Sequence, residues 1–182
     1  MGSPPPELSL ADWAVLGIVA EHPTHGWPVV RALRADGEIG RVWTVPRAVV
    51  YRSLATLTAR GMLEERGEAD GVRGPQRTIL GITPRGRAAL RRWFDTPVQH
   101  VRDVRSELLV KLALLARAGR DPTPLLERQL TALAPVIDAV STRPARSGFD
   151  LVLARWRREQ ALAVDRFLRA SLAASLGVEP PD

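Results

Sequence analysis

Between Thr44 and Thr83 the chain allows few readings. Pro46 is tolerated in a first helical turn, where its missing N–H is no loss. Thr44 can cap that turn, and Gly61 supplies the left-handed residue on which a helix stops. Residues 45–60 are therefore expected to form a helix. At about 100° per residue, Val50, Ser53, Leu54 and Leu57 cluster on one side. Ala48, Arg52, Ala55 and Ala59 lie opposite, flanked by Arg47, Tyr51 and Thr56. A hairpin follows at once. Asp70-Gly71 and Gly74-Pro75 are turn markers, and the β-branched run from Arg77 to Ile82 is strand-like. This places Arg73 near the hairpin tip and Arg66 and Arg77 along its arms. A merely solvated helix face would favour Glu, Lys and Gln. Small residues bracketed by Arg and Tyr instead let the backbone come close to another surface while the long side chains reach its phosphates or base edges. The plain alternative is a third core helix with an Ala-rich outer side.

The flanking segments extend the pattern. Leu10, Trp13, Leu16, Gly17 and Ala20 recur at three- and four-residue spacing, which predicts a helix over 8–21 closed by His22-Pro23. Trp27, Val30, Leu33 and Arg34 predict a second over 25–36, stopping at Asp36-Gly37. After the hairpin, Thr83-Pro84 caps a helix over 84–94 that bears Arg85, Arg87, Arg91 and Arg92 and offers Leu90, Trp93 and Phe94 to a core. Two helices around a short turn, a capped helix with a small-residue face and a basic hairpin make a winged helix-turn-helix. In that arrangement the third helix enters the major groove and the wing reaches an adjacent groove or the backbone. Charge follows the same order. Residues 1–40 carry two arginines against five acids, whereas residues 41–100 carry eleven against five. Of the 26 basic residues 25 are Arg, which suits phosphate oxygens and guanine edges. A GC-rich coding sequence would enrich Arg over Lys in the same way.

Thr96-Pro97 reads as a linker. It divides a winged-helix part over 8–95 from a helical part over 101–176, with tails at 1–7 and 177–182 expected to be disordered. The fold class expected is mainly α with a small β-hairpin wing. The second part predicts a helix over 103–118 with Leu108, Leu109, Leu112 and Leu115, stopping at Gly119. It continues with one over 122–141 kinked by Pro135 and one over about 149–176. The last carries Val152, Trp156, Ala163 and Phe167 on one side amid five arginines. A helix of that length needs a partner surface. Packing within the chain is one solution. A two-fold dimer is the other, because reading two half-sites one DNA turn apart requires that symmetry. Leu108, Leu112, Val152, Trp156, Ala163 and Phe167 are the residues for such an interface. Trp93, Trp156 and Phe167 are candidate liners of an effector pocket between the parts, or plain core.

Catalysis finds no support. GxxxxGK[ST], GxGxxG, GxSxG and HExxH are all missing, and His22, His25 and His100 are not spaced as helical metal ligands. With no cysteine there is no disulfide framework, thiolate nucleophile or Cys-based metal site. Neither a metal nor a cofactor is expected. MGSPPPELSL lacks the basic and apolar regions of a signal peptide, and no apolar run approaches the ~20 residues of a membrane span. A cytoplasmic, nucleoid-associated protein is the expectation.

Three passages, LSLADWAVLGIVAEHPTHGWPVVRAL, VPRAVVYRSLATLTARGMLEE and GVRGPQRTILGITPRGRAALRRW, resemble the PadR family of bacterial transcriptional regulators, and RDVRSELLVKLALL resembles the start of that family's C-terminal domain. The resemblance covers roughly residues 8–118 well and the rest loosely. It implies a homodimeric repressor on a palindromic operator in double-stranded DNA, with Tyr51 on the DNA-facing helix and Arg73 and Arg77 on the wing. Leu80 stands where the family usually has a wing tyrosine, and the wing turn is short. Together with the residue reading this gives Thr44, Arg47, Ala48, Tyr51, Arg52, Arg73 and Arg77 as the candidate DNA-binding set. A second copy and a small hydrophobic or aromatic effector are further candidate partners. A winged-helix protein-interaction module and a nonspecific DNA-binding protein are the alternatives.

Overall fold

The computed structural model describes residues 8–71, 74–142 and 147–177, and the chain divides into two units at Trp93/Phe94. The expected disordered tail at 1–7, and that at 177–182 apart from Gly177, lie outside the described residues.

In the first unit α1 (Leu10–Val19) is the central helix. Its residues from Ala14 to Val19 are all buried, so no side of that stretch faces water. A reciprocal cap starts it: the Ser9 hydroxyl accepts from the Asp12 amide, and the Asp12 carboxylate accepts from the Ser9 amide at 2.9 Å. α2 (Gly26–Leu33) opens on His25, whose Nδ1 accepts from the Trp27 amide at 3.3 Å. It ends three residues before the expected Asp36-Gly37 stop. Chain beyond it folds back instead, with the Ile39 and Gly40 amides both donating to the Ala32 carbonyl and the Val45 amide to that of Leu33. Fully buried Ile39 anchors the return. Gly40 is required there, since a Cβ would fall 1.7 Å from the Arg34 carbonyl oxygen.

α3 (Arg47–Ala59) packs on α1 and α2 and buries Val50, Ser53, Leu54 and Leu57, the side read from periodicity. Its start corrects one expectation. Pro46 occupies the N-cap position, with no side-chain cap, while the Thr44 hydroxyl donates backwards to the Gly40 carbonyl at 2.8 Å. β1 (Leu63–Gly71) and β2 (Gly74–Ile82) form an antiparallel hairpin from the Leu63–Ile82 pair out to Gly71–Gly74. Thr24 bridges Leu80 by two backbone hydrogen bonds of 2.9 and 2.8 Å, fastening the wing base to the segment before α2. α4 (Pro84–Asp95) follows, with Thr83 accepting from the Gly86 amide at 3.0 Å as expected of a cap. Trp93 stacks on Trp13 of α1, with ring centroids 5.2 Å apart and planes within 5°.

In the second unit the expected helix over 103–118 is a composite. A single turn, α5 (Val101–Asp103), passes through a π-helical turn at Val104–Leu108 into α6 (Leu109–Arg117). Gly119, at φ 59°, ends it as read. α7 (Thr123–Thr142) stays helical through Pro135 and packs along α8 (Phe149–Ser175). The core contains Leu108, Val110, Leu114, Leu125, Leu126, Leu133, Ala161 and Leu168.

The expected linker is not a free tether. The side chain of Gln129, fully buried, grips both polar atoms of Val98, accepting from its amide at 2.8 Å and donating to its carbonyl at 2.9 Å. Fully buried Lys111 donates to the Thr96 carbonyl at 2.6 Å and pairs with Glu107 at 2.8 Å. Arg128 pairs with Asp95 at 3.0 Å, and the Arg120 guanidinium lies 5.3 Å from the centre of the Phe94 ring. Residues 94–98 are thus built into the second unit.

Candidate nucleic-acid interface

One face of α3 is core, so the other is fixed in direction. It presents Arg47, Ala48, Tyr51, Arg52, Ala55 and Ala59, all exposed. From Arg41 to Arg60 the chain carries four arginines and no acid. A duplex approaching this face meets alanines that allow close contact and arginines long enough to reach base edges or phosphates. Thr44 is exposed just before the helix, but its hydroxyl is committed as donor to Gly40.

Tyr51 is held on two sides. The Arg47 guanidinium sits 5.6 Å from its ring centre. Gly26, the first residue of α2, lies directly against the phenol: a Cβ there would fall 2.6 Å from Cε1, 3.1 Å from Cζ and 3.2 Å from the hydroxyl oxygen. The His-Gly-Trp passage and the tyrosine therefore meet in space, a pairing that sequence reading missed because the two lie 25 residues apart.

The wing is less basic than its segment total implies. Arg77 is exposed on β2 opposite Ala69, and Arg66 on β1 folds over Gly81 and pairs with Glu64. Arg73 lies outside the described residues. Against these three stand Glu64, Glu65, Glu68 and Asp70, all on β1. The excess over residues 41–100 resides in α3 with its approach and in α4, where Arg85, Arg87, Arg91 and Arg92 are exposed. Electrostatics alone thus favours α3 over the wing arms as the surface for a polyanion.

The candidate dimer residues separate. Leu108 has no exposed surface and packs the core of its own unit, which corrects its assignment to an interface; Leu112 is half-buried. Val152, Trp156, Ala163 and Phe167 are all exposed on α8. At 100° per residue they share a stripe about 60° wide, continued by Phe149, which is 74% exposed. Of the candidate pocket liners, Trp93 is committed to its stack with Trp13 in the first unit's core, whereas Trp156 and Phe167 face outward from α8. Among the described residues no group of side chains is placed to hold a metal ion, and no helix is long and apolar enough to cross a membrane.

Three helices, a two-stranded wing tied to the segment before α2, and an outward-facing third helix define a winged helix-turn-helix protein. Residues 15–92 match the family model of the transcriptional regulator PadR-like family. Over these residues, less than half of its length, the chain is similar to that family of transcriptional regulators. A probable transcriptional regulator of Mycobacterium tuberculosis, Rv1176c, is 28% identical over 126 residues, which cover 66% of this chain. The chain spans 65% of the length of that curated relative. Among solved structures, Bacillus subtilis PadR in complex with operator DNA is similar at a TM-score of 0.46 and 16% identity, over 89% of this chain and 97% of that one. The same protein in complex with p-coumaric acid gives 0.44 and 17%, over 92% and 99%.

Proposed function

We propose that the protein is a sequence-specific DNA-binding repressor that acts as a homodimer on a palindromic operator, with α3 in the major groove. The observation that carries this is the outer face of α3, where Arg47, Tyr51 and Arg52 surround exposed alanines on a helix whose opposite side is locked into the core. Arg47, Ala48, Tyr51 and Arg52 are the reading residues, with Thr44 at the helix entrance and Arg73 and Arg77 contacting the backbone from the wing. Support for the dimer comes from α8, whose stripe of Val152, Trp156, Ala163 and Phe167 is exposed among the described residues. A small hydrophobic or aromatic effector seated beside Trp156 and Phe167 and releasing the DNA completes the reading, and the protein works in the cytoplasm.

Selection of genomic fragments by the purified protein at near-physiological salt, followed by sequencing, tests it. Enrichment of a palindrome is the expected result. Uniform recovery that vanishes as salt rises would leave a nonspecific binder, and no recovery at any salt would leave a protein-interaction module.

A further inference from the structure

We infer that Gly26 is a positioning residue for DNA binding, acting through Tyr51; the inference rests on the reading of α3 as the DNA-facing helix. Nothing in the backbone demands glycine at this position. Gly26 is the first residue of α2 and is not among the glycines at positive φ, so alanine would fit its conformation and would favour the helix. What glycine provides is room. The Tyr51 ring occupies the place where a Cβ would stand, with three of its atoms within 3.2 Å of that point. Arg47, one turn earlier on α3, holds the ring from a second direction at 5.6 Å.

The phenol is therefore confined to the seam between α2 and α3 while remaining 43% exposed. An exposed tyrosine normally samples several rotamers and loses that freedom on binding; one fixed beforehand by its own fold presents its hydroxyl at little further entropic cost. The three atoms nearest to a methyl group at position 26 all belong to Tyr51, so such a group would push the ring out of the seam. Gly26 never contacts DNA in this scheme, and its effect passes entirely through the tyrosine.

Tyr51 is the sole tyrosine, so protein labelled with ring-13C tyrosine gives one set of ring signals that reports its position. Gly26→Ala and Gly26→Ser, with folding checked by circular dichroism, are each expected to move that signal in the free protein. They are also expected to weaken binding by about fivefold, the worth of one neutral hydrogen bond. The probes are a duplex carrying the sequence recovered by genomic selection and a random duplex of equal length, followed by fluorescence anisotropy. In a Tyr51→Ala background the same changes at position 26 are expected to leave affinity within about twofold. Equal losses in both backgrounds, or an unmoved ring signal, would overturn the inference. If Tyr51→Ala weakens binding and Gly26→Ala does not, the inference alone falls. If neither variant alters binding on either duplex although the ring signal moves, the inference falls together with the reading of α3.

Discussion

Glu107 lies in the π-helical turn with its carboxylate 2.8 Å from the ammonium of Lys111, a side chain with no exposed surface. Desolvation of that ammonium outweighs the attraction of the carboxylate, so the lysine's pKa is held below its ordinary value. The charged lysine is thus tolerated rather than favoured, and removing Glu107 should cost more than removing the whole pair. At 2.8 Å and an effective dielectric constant of ~20 the Coulomb attraction has a ceiling of about 6 kcal/mol. The Glu107 side chain is 36% exposed, so water screens much of this, and a net loss of ~2 kcal/mol for Glu107→Gln is expected. Lys111→Met, similar in volume and without charge, should restore part of that loss in the double variant, less what the hydrogen bond from Lys111 to the Thr96 carbonyl contributes. Urea unfolding followed by circular dichroism reads both, as a midpoint lowered by about 1–2 M and then partly recovered. A Glu107→Gln loss of the same size in the Lys111→Met background would refute the reasoning, because no buried ammonium remains there to be stranded. The pH dependence has a definite sign. Between the depressed pKa and 10.5 the unfolded chain binds the extra proton, so the parent protein should gain stability as pH rises through that window and the Lys111→Met variant should not.

Other expectations concern function and the core. Arg52→Ala should weaken binding to the selected sequence by ~1–3 kcal/mol and relax preference, whereas Arg77→Ala should weaken all duplexes alike and lower the salt slope by about one unit. Equal losses on selected and random DNA for both would refute this division of roles. Trp156→Glu, on an exposed position of α8, should convert a dimer to a monomer in analytical ultracentrifugation without loss of helix content, and a dimer that persists removes α8 as the seam. Trp93→Ala should cost ~3–5 kcal/mol through loss of the stack on Trp13, visible as a much lower Tm of the first unit; an unchanged Tm would contradict its core role.

Local signals in the sequence identified what local forces decide. Spacing alone assigns Val50, Ser53, Leu54 and Leu57 to the core, and Gly61, Thr83 and Gly119 mark boundaries that the fold has. Local signals mislead where distant groups compete. Thr44 has the right chemistry for a cap but donates to Gly40 because the loop after α2 is drawn in by Ile39. Thr96-Pro97 has the composition of a linker, yet its neighbours are held by Lys111 and Gln129, 15 and 31 residues further along. Nothing near Thr96 signals those bonds. The acidity of the first wing strand is legible residue by residue, since Glu64, Glu65 and Glu68 stand on the same strand as Arg66, although the net charge of residues 41–100 conceals it. Leu108 matched an interface pattern because a buried leucine and a dimer leucine look alike in one dimension.

The grip on residues 96 and 98 has a consequence for how the chain can vary. Lys111 holds a main-chain carbonyl and Gln129 holds a main-chain amide and carbonyl, so neither depends on which side chain the junction carries. Substitutions there, proline at 98 excepted, leave the hydrogen bonds available. Inserting or deleting one residue between Phe94 and Val98 shifts the main-chain groups out of reach of both side chains. These main-chain bonds are therefore indifferent to spelling and strict about length, while buried Phe94 and Val98 and the Asp95–Arg128 pair add side-chain demands, so a chimera that joins this helical unit to another winged helix must carry residues 94–98 as part of the cassette, with its splice inside α4.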